Sequence, residues 1–193
     1  TVLLRSDGRA VACGCSGLGR TDFPEPEDGV IYTQVSAGDT HTVLLRSDGR
    51  AVACGRNDSG QCDIPELEEG AVYSQVAAGH THTVLLRCDG RAVACGDARL
   101  GQCDVPDTEE GVTYVHVAAG LDHTILIRSD GRVAICGPTQ PGFSDIPEPE
   151  AGVHYIQAAV GQEHLLLLRS DGRALALGGN RHRQCSLPTL EAG

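Results

Sequence analysis

One period governs this chain. Gly8, Gly49, Gly90, Gly131 and Gly172 follow one another at steps of 41 residues, and Pro24, Pro65, Pro106, Pro147 and Pro188 keep the same step. So do Tyr32, Tyr73, Tyr114 and Tyr155, and so do His41, His82, His123 and His164. No unit gains or loses a residue, which leaves no room for an inserted wedge or lid. Self-similarity at such a period marks a repeat architecture, in which each unit buries its apolar surface only against its neighbours. The chain therefore reads as a single repeat region over 1–193, with a partial unit 1–29, full units 30–70, 71–111 and 112–152, and a last unit 153–193.

Each unit reads as strands and turns. In the second, YTQVSAG from Tyr32 is a first strand and HTVLLR from His41 a second. Asp48-Gly49 makes the hairpin, because glycine accepts the positive φ of a tight turn without strain. RAVACG from Arg50 is the third strand, and GQCDIP, closed by Pro65, reads as a short fourth before the acidic connector ELEEG. The apolar runs are nearly continuous, as expected of sheets covered on both faces. Glycine and β-branched content exclude a helical solenoid, and the regular hairpin argues against a parallel β-helix. What remains is an all-β fold with radial repetition, a β-propeller of about five blades. A closed five-unit ring would need one more strand than the 193 residues supply. The expectation is an arc of a larger ring, and the absence of Met points the same way, to a processed or excised piece.

Charge narrows the class. A net charge of −11 excludes a general nucleic-acid binder, whose affinity comes from clustered cations, and disfavours an anionic membrane surface. It suits a protein partner, a basic one in particular. No signal peptide, membrane-length apolar stretch or lipidation motif is visible. Nine Cys, mostly within apolar strand-like runs, read as reduced core thiols of an intracellular protein, cytoplasmic or nuclear.

The unit AGxxHTVLLRSDGRAVACGxNxxGQ resembles the regulator of chromosome condensation repeat. Ala78-Gly79-His80-Thr81-His82-Thr83 carries the entry motif and Gly55-Arg56-Asn57-Asp58-Ser59-Gly60-Gln61 the exit motif. The resemblance covers essentially the whole chain and implies a propeller, usually seven-bladed. In function it implies a non-catalytic protein-interaction or scaffold module, with the propeller of a large HECT-type ubiquitin ligase as one member type. Its alternative is a guanine-nucleotide exchange factor acting on a small GTPase. Where many members carry Trp before the blade glycine, these repeats carry Cys13, Cys54, Cys95 and Cys136, with Leu177 in the last. Without Trp, the segment lacks what a light-sensing member of the family uses.

Catalysis finds no candidate: no Ser/His/acid or paired-carboxylate set stands out, and no phosphate cradle with its Lys. No cofactor or metal is implied. One His per unit spreads imidazoles around a ring, whereas a metal needs several ligands together. Each recurrent His reads instead as hydrogen-bonded within its own blade. The Cys register filled by Leu177, and that of Cys62, Cys103 and Cys185, interrupted by Thr21 and Ser144, read as packing positions. Cys13-Gly14-Cys15 is a weak signal, and Cys88, in place of a hairpin Ser, is the thiol expected to be exposed. Arg pairs flanking each hairpin, such as Arg46/Arg50, should share one face with the acidic connectors as a mutually screened rim. The opposite face carries the loops that vary most between units, where recognition would be written. Its candidate partner-binding residues are Asp39, Thr40, His80, Thr81, Leu121, Asp122, Gln162 and Glu163 on the first loops. On the second loops they are Arg56, Asn57, Asp58, Ser59, Asp97, Arg99, Leu100, Arg181 and His182, with Pro138 to Pro141 alongside.

Overall fold

Every unit folds as an antiparallel meander. The computed structural model describes residues 1–14, 16–138, 142, 143 and 145–188, so Cys15, Ser144, 139–141 and the last five residues lie outside the described part. The partial unit pairs β1 (Val2–Leu4) with β2 (Ala10–Ala12), and a single 3-10 turn follows at Gly17–Gly19. Four three-stranded sheets come next. They are β3 (Tyr32–Ala37), β4 (His41–Arg46) and β5 (Ala51–Gly55); β6 (Tyr73–Ala78), β7 (His82–Arg87) and β8 (Ala92–Gly96); β9 (Tyr114–Ala119), β10 (Thr124–Arg128) and β11 (Val133–Cys136); and β12 (Tyr155–Val160), β13 (His164–Arg169) and β14 (Ala174–Gly178). In each sheet the second strand lies between the first and the third. The first strands of successive sheets contact one another, β3 with β6, β6 with β9 and β9 with β12, so they line the centre of the arc.

Among the described residues the expected fourth strand is absent. Residues 61–65 form a turn and an extended segment outside any sheet. The reason is local. The Cys62 amide donates to the Asn57 side-chain oxygen at 2.8 Å, and the Ile64 amide to the Cys62 carbonyl at 2.9 Å, so neither is free for a ladder. Each segment is tied instead by a tyrosine: the hydroxyls of Tyr73, Tyr114 and Tyr155 donate to the carbonyls of Pro65, Pro106 and Pro147 at 2.8, 2.8 and 3.0 Å. Tyr32 makes the same bond at 2.5 Å to Pro24.

The core lies between the blades. Leu85 packs with Val43, Leu45, Tyr73 and Val76 on one side, while Val84 and Leu86 of the same strand pack with Val117 and Leu126 on the other. A continuous apolar run thus keeps the strand's period of two, one residue to each neighbouring blade. The last seam is filled by Ile125, Ile127, Phe143, Leu165 and Leu167. Two glycines show how tight the design is. Gly49 has φ +77° in the hairpin. Gly79 sits so close to the next blade that a Cβ there would lie 2.6 Å from the Gly120 carbonyl oxygen and 2.4 Å from the His82 ring.

Candidate interaction surface

Strand order sorts the loops onto two faces. The hairpins and the acidic connectors share one, where Arg46 meets Glu27 at 3.7 Å, Arg128 meets Glu109 at 2.6 Å and Arg169 meets Glu150 at 3.4 Å. Every hairpin also brackets its own aspartate, as Arg46 does Asp48 and Arg87 does Asp89, each at 2.7 Å. The Arg91 amide, and against slight desolvation the Arg87 guanidinium, hold the Asp89 carboxyl below the usual carboxylate range. This face is a self-paired rim. It holds a cleft of about 660 Å3 whose lining includes Arg50 and Glu66. Their counterparts Arg132 and Glu148 are paired at 3.2 Å, which marks the cleft as part of the same charge pattern.

The other face carries the first loops, joining first and second strands, and the second loops, which follow the third strands. First loops of four successive sheets converge on a depression of about 520 Å3 at the mouth of the arc's centre. Its floor is backbone at Gly38, Gly79, Gly120 and Gly161, and Asp39, His80, Leu121 and Gln162 stand around it. An aspartate, a histidine, a leucine and a glutamine thus occupy one position on a repeated backbone. Asp39 and His80 approach to 3.2 Å, both substantially exposed. Thr40, Thr81 and Glu163 hold first loop to second, their carbonyls accepting from the amides of Arg56, Asp97 and Gly179 at 2.9, 2.9 and 2.7 Å.

The second loops form an outer tier. Asn57 is engaged by its own loop, with Nδ2 donating to Asp63 at 2.7 Å, and the Ser59 amide donates to Gln61 Oε1 at 3.0 Å. Arg56 pairs with Asp58 at 2.7 Å and Arg99 with Asp97 at 2.6 Å. Asp122 is half-buried; Leu100, Arg181 and His182 are exposed. Pro138 is half-buried, while 139–141 fall outside the described residues. Arg20 was not among the expected residues, yet its guanidinium reaches from the partial unit to the Asp39 carbonyl at 2.8 Å. Arg20 stands in the register of Gln61 and Gln102, a substitution that could have flagged it.

Beneath this face two of the recurrent histidines, His41 and His82, do not stay within their own blades as expected. His41 and His82 are fully buried, and their Nε2 atoms lie 2.8 and 3.0 Å from the Thr83 and Thr124 hydroxyls of the following blade. Those hydroxyls give their protons to the carbonyls of Gln61 and Gln102, both at 2.7 Å. The histidines therefore donate through Nε2. Burial pushes both imidazoles down to about 4, helped for His41 by the His80 charge and for His82 by that of His41. His123 meets Leu165 where the others meet threonine; it turns to the Pro138 carbonyl at 2.7 Å and stacks on Phe143 at 4.4 Å. The described residues hold no group of three His, Cys, Asp or Glu placed for a metal. The eight described cysteines are free thiols: Cys88 and Cys13 exposed, Cys136 buried, the rest half-buried.

Stacked three-stranded antiparallel sheets with their first strands at the centre define a β-propeller arc. The model of the regulator of chromosome condensation (RCC1) repeat matches residues 32–61 and 73–102, so repeats of that type are present in the second and third units. Prp20p of Saccharomyces cerevisiae, a protein with binding properties to Gsp1p and histones, superposes with a TM-score of 0.74 at 18% identity, over 98% of this chain and 58% of that one. Yeast RCC1 (Prp20) bound to Kap60 gives 0.68 at 18% identity over 86% and 48%. Human WBSCR16 gives 0.64 at 20% identity over 80% and 50%. The chain thus spans about half the length of the solved structures it resembles. No curated protein sequence matches it. Among the described residues no helix is long and apolar enough to cross a membrane.

Proposed function

We propose that this propeller arc is a non-catalytic protein-binding module and that the face with the first and second loops is its recognition surface. The observation that carries the reading is the depression walled by Asp39, His80, Leu121 and Gln162. Four different side chains stand at one repeated position, on a glycine floor too tight to vary. A uniform scaffold with non-uniform loop tips is how repeat proteins encode a partner. On the opposite face the arginines that precede the hairpins (Arg5, Arg46, Arg87, Arg128 and Arg169) are already paired with carboxylates, so binding through them would first have to break those pairs. The acidic chain favours a basic partner.

Affinity capture with two variants tests this. Replacing Asp39, His80, Leu121 and Gln162 together by alanine should abolish capture of the partner, while reversing Arg50 and Arg91 to glutamate should leave it. The reverse outcome would overturn the assignment. Two finer readings go with the module: the propeller part of a HECT-type ubiquitin ligase, and a small-GTPase exchange factor, for which accelerated nucleotide release would be the signature. An intracellular setting, cytoplasmic or nuclear, accords with the free thiols.

A further inference from the structure

Six Asp-Gly pairs occur in the chain, and the structure treats one of them differently from the other five. Asp-Gly is the dipeptide in which the glycine amide most readily attacks the preceding side-chain carboxyl, since no Cβ hinders the approach. Reaction needs a free amide, a carboxyl free to rotate towards it, and a backbone that allows both.

Five pairs are hairpin turns, and in all five the reacting groups are occupied. The amides of Gly8, Gly49, Gly90, Gly131 and Gly172 donate to the carbonyls of Arg5, Arg46, Arg87, Arg128 and Arg169 at 2.9 to 3.0 Å. The carboxylates accept from the amide two residues on, at 3.0 Å for Asp7 and 3.1 Å for Asp48, Asp89, Asp130 and Asp171. Each is also paired with the arginine two residues before it, at 2.7 to 2.9 Å. Nucleophile and electrophile are thereby held apart by three contacts per turn.

Asp28-Gly29 is the exception. It lies in the connector before β3, both residues exposed, in a turn closed by the Val30 amide on the Glu27 carbonyl at 2.9 Å. That bond leaves the Gly29 amide and the Asp28 carboxylate without a hydrogen-bond or ion-pair partner among the described residues. Nothing lies within 4 Å of where a Gly29 Cβ would be, so no neighbour restrains the turn. The equivalent pairs are Glu69-Gly70, Glu110-Gly111 and Ala151-Gly152, which cannot form the five-membered ring.

We propose that Asp28-Gly29 is a site of spontaneous aspartate isomerisation, selected by the absence of the restraints that protect the hairpins. The Gly29 nitrogen bonds to Asp28 Cγ, and the carboxyl loses one oxygen as water, taking up the amide proton and the carboxyl proton. The succinimide then adds water at either carbonyl. Opening at the α-carbonyl leaves an isoaspartyl linkage with one extra main-chain methylene, an exposed α-carboxylate and no net change in mass or oxidation state.

The test is to hold the full chain at neutral pH and physiological temperature for several weeks and map peptides at intervals. Isoaspartate would be read by methyl transfer from S-adenosylmethionine with an isoaspartyl methyltransferase, and by a retention shift at constant mass. The expected result is isoaspartate in the peptide containing Asp28 at roughly tenfold or more the rate of any hairpin peptide, the factor expected from a modest difference in barrier. Asp28→Glu, which installs the residue two other units carry, should remove that signal with the fold unchanged. Equal rates at the hairpins would overturn the proposal, as would a signal that survives Asp28→Glu. So would no reaction at Asp28 over an interval in which a free peptide spanning 24–33 has isomerised.

Discussion

A single oxygen atom recurs at three of the five hairpins. The hydroxyls of Ser47, Ser129 and Ser170 accept from the amides of Ile31, Thr113 and His154 at 3.2, 3.1 and 3.1 Å, while the serine amides donate back to the same residues' carbonyls at 2.7 to 2.8 Å. This two-point tie fixes hairpin to connector. In the third unit Cys88 keeps only half of it, its amide on the Val72 carbonyl at 2.9 Å, because a thiol is a weak acceptor. Cys88→Ser should therefore stabilise the chain by about 0.5–1 kcal/mol, a net hydrogen bond at an exposed site. Denaturant midpoints would show it, and an unchanged or lowered midpoint would refute it. Arg183 is the opposite case. It keeps φ +63° where Gly60, Gly101 and Gly142 stand in the earlier units, so the turn outlasts the residue suited to it.

Between elements, the seams are where sequence reading ran out. Hairpins, period and the two loop faces were legible because each follows from local rules: Asp-Gly for the turn, alternation for the strand, antiparallel order for the faces. GQCDIP was misread as a strand because alternation alone cannot reveal that Asn57 takes the Cys62 amide. The histidines were misplaced for another reason. Their partners lie 42 residues on, and only radial packing brings His82 to Thr124. The candidate site divides likewise. The varying loop tips could be listed from the repeat, but not that Asp39, His80, Leu121 and Gln162 share one depression while Asn57 serves its own loop. A consequence at this scale is that Thr124→Val should cost about 2 kcal/mol or more. It leaves both a buried His82 N–H and the Gln102 carbonyl unpaired. Thr42→Val loses only the bond to the Arg20 carbonyl and should cost less. Equal shifts in the two unfolding midpoints would show that the imidazole link contributes nothing. Leu165 indicates how a seam does without it: Phe143 replaces the glutamine, and His123 stacks on that ring instead.

Across the whole molecule the blades are held by interfaces rather than by one central core, so a group repeated at the interfaces acts on all of them together. His41 and His82 sit there neutral, with folded pKa values near 4 against an ordinary value near 6.5. An unfolded chain would take up protons on both at mildly acidic pH while the folded chain refuses them. Stability must then fall as pH drops from 6.5 towards 4, and below 4, with both states protonated, these two groups add nothing further. Groups facing them modulate the effect: His80 opposes protonation of His41, while for His82 the His41 imidazole opposes it, the His123 backbone and then the Asp97 carboxylate favour it, and the His123 ring opposes it least. Carboxylates held low, such as Asp97 at about 2 and Asp89, begin to matter only below the ordinary carboxylate range. The loss between neutral pH and pH 5 should thus be histidine-driven, on the order of 1–2 kcal/mol per imidazole. The double variant His41→Gln, His82→Gln should be less stable than the parent at neutral pH yet lose clearly less over that window, the remaining slope coming from His116, whose imidazole burial also pushes down. Urea titrations at the two pH values would decide the point, since parallel losses in parent and variant would place the acid sensitivity elsewhere than in the seams.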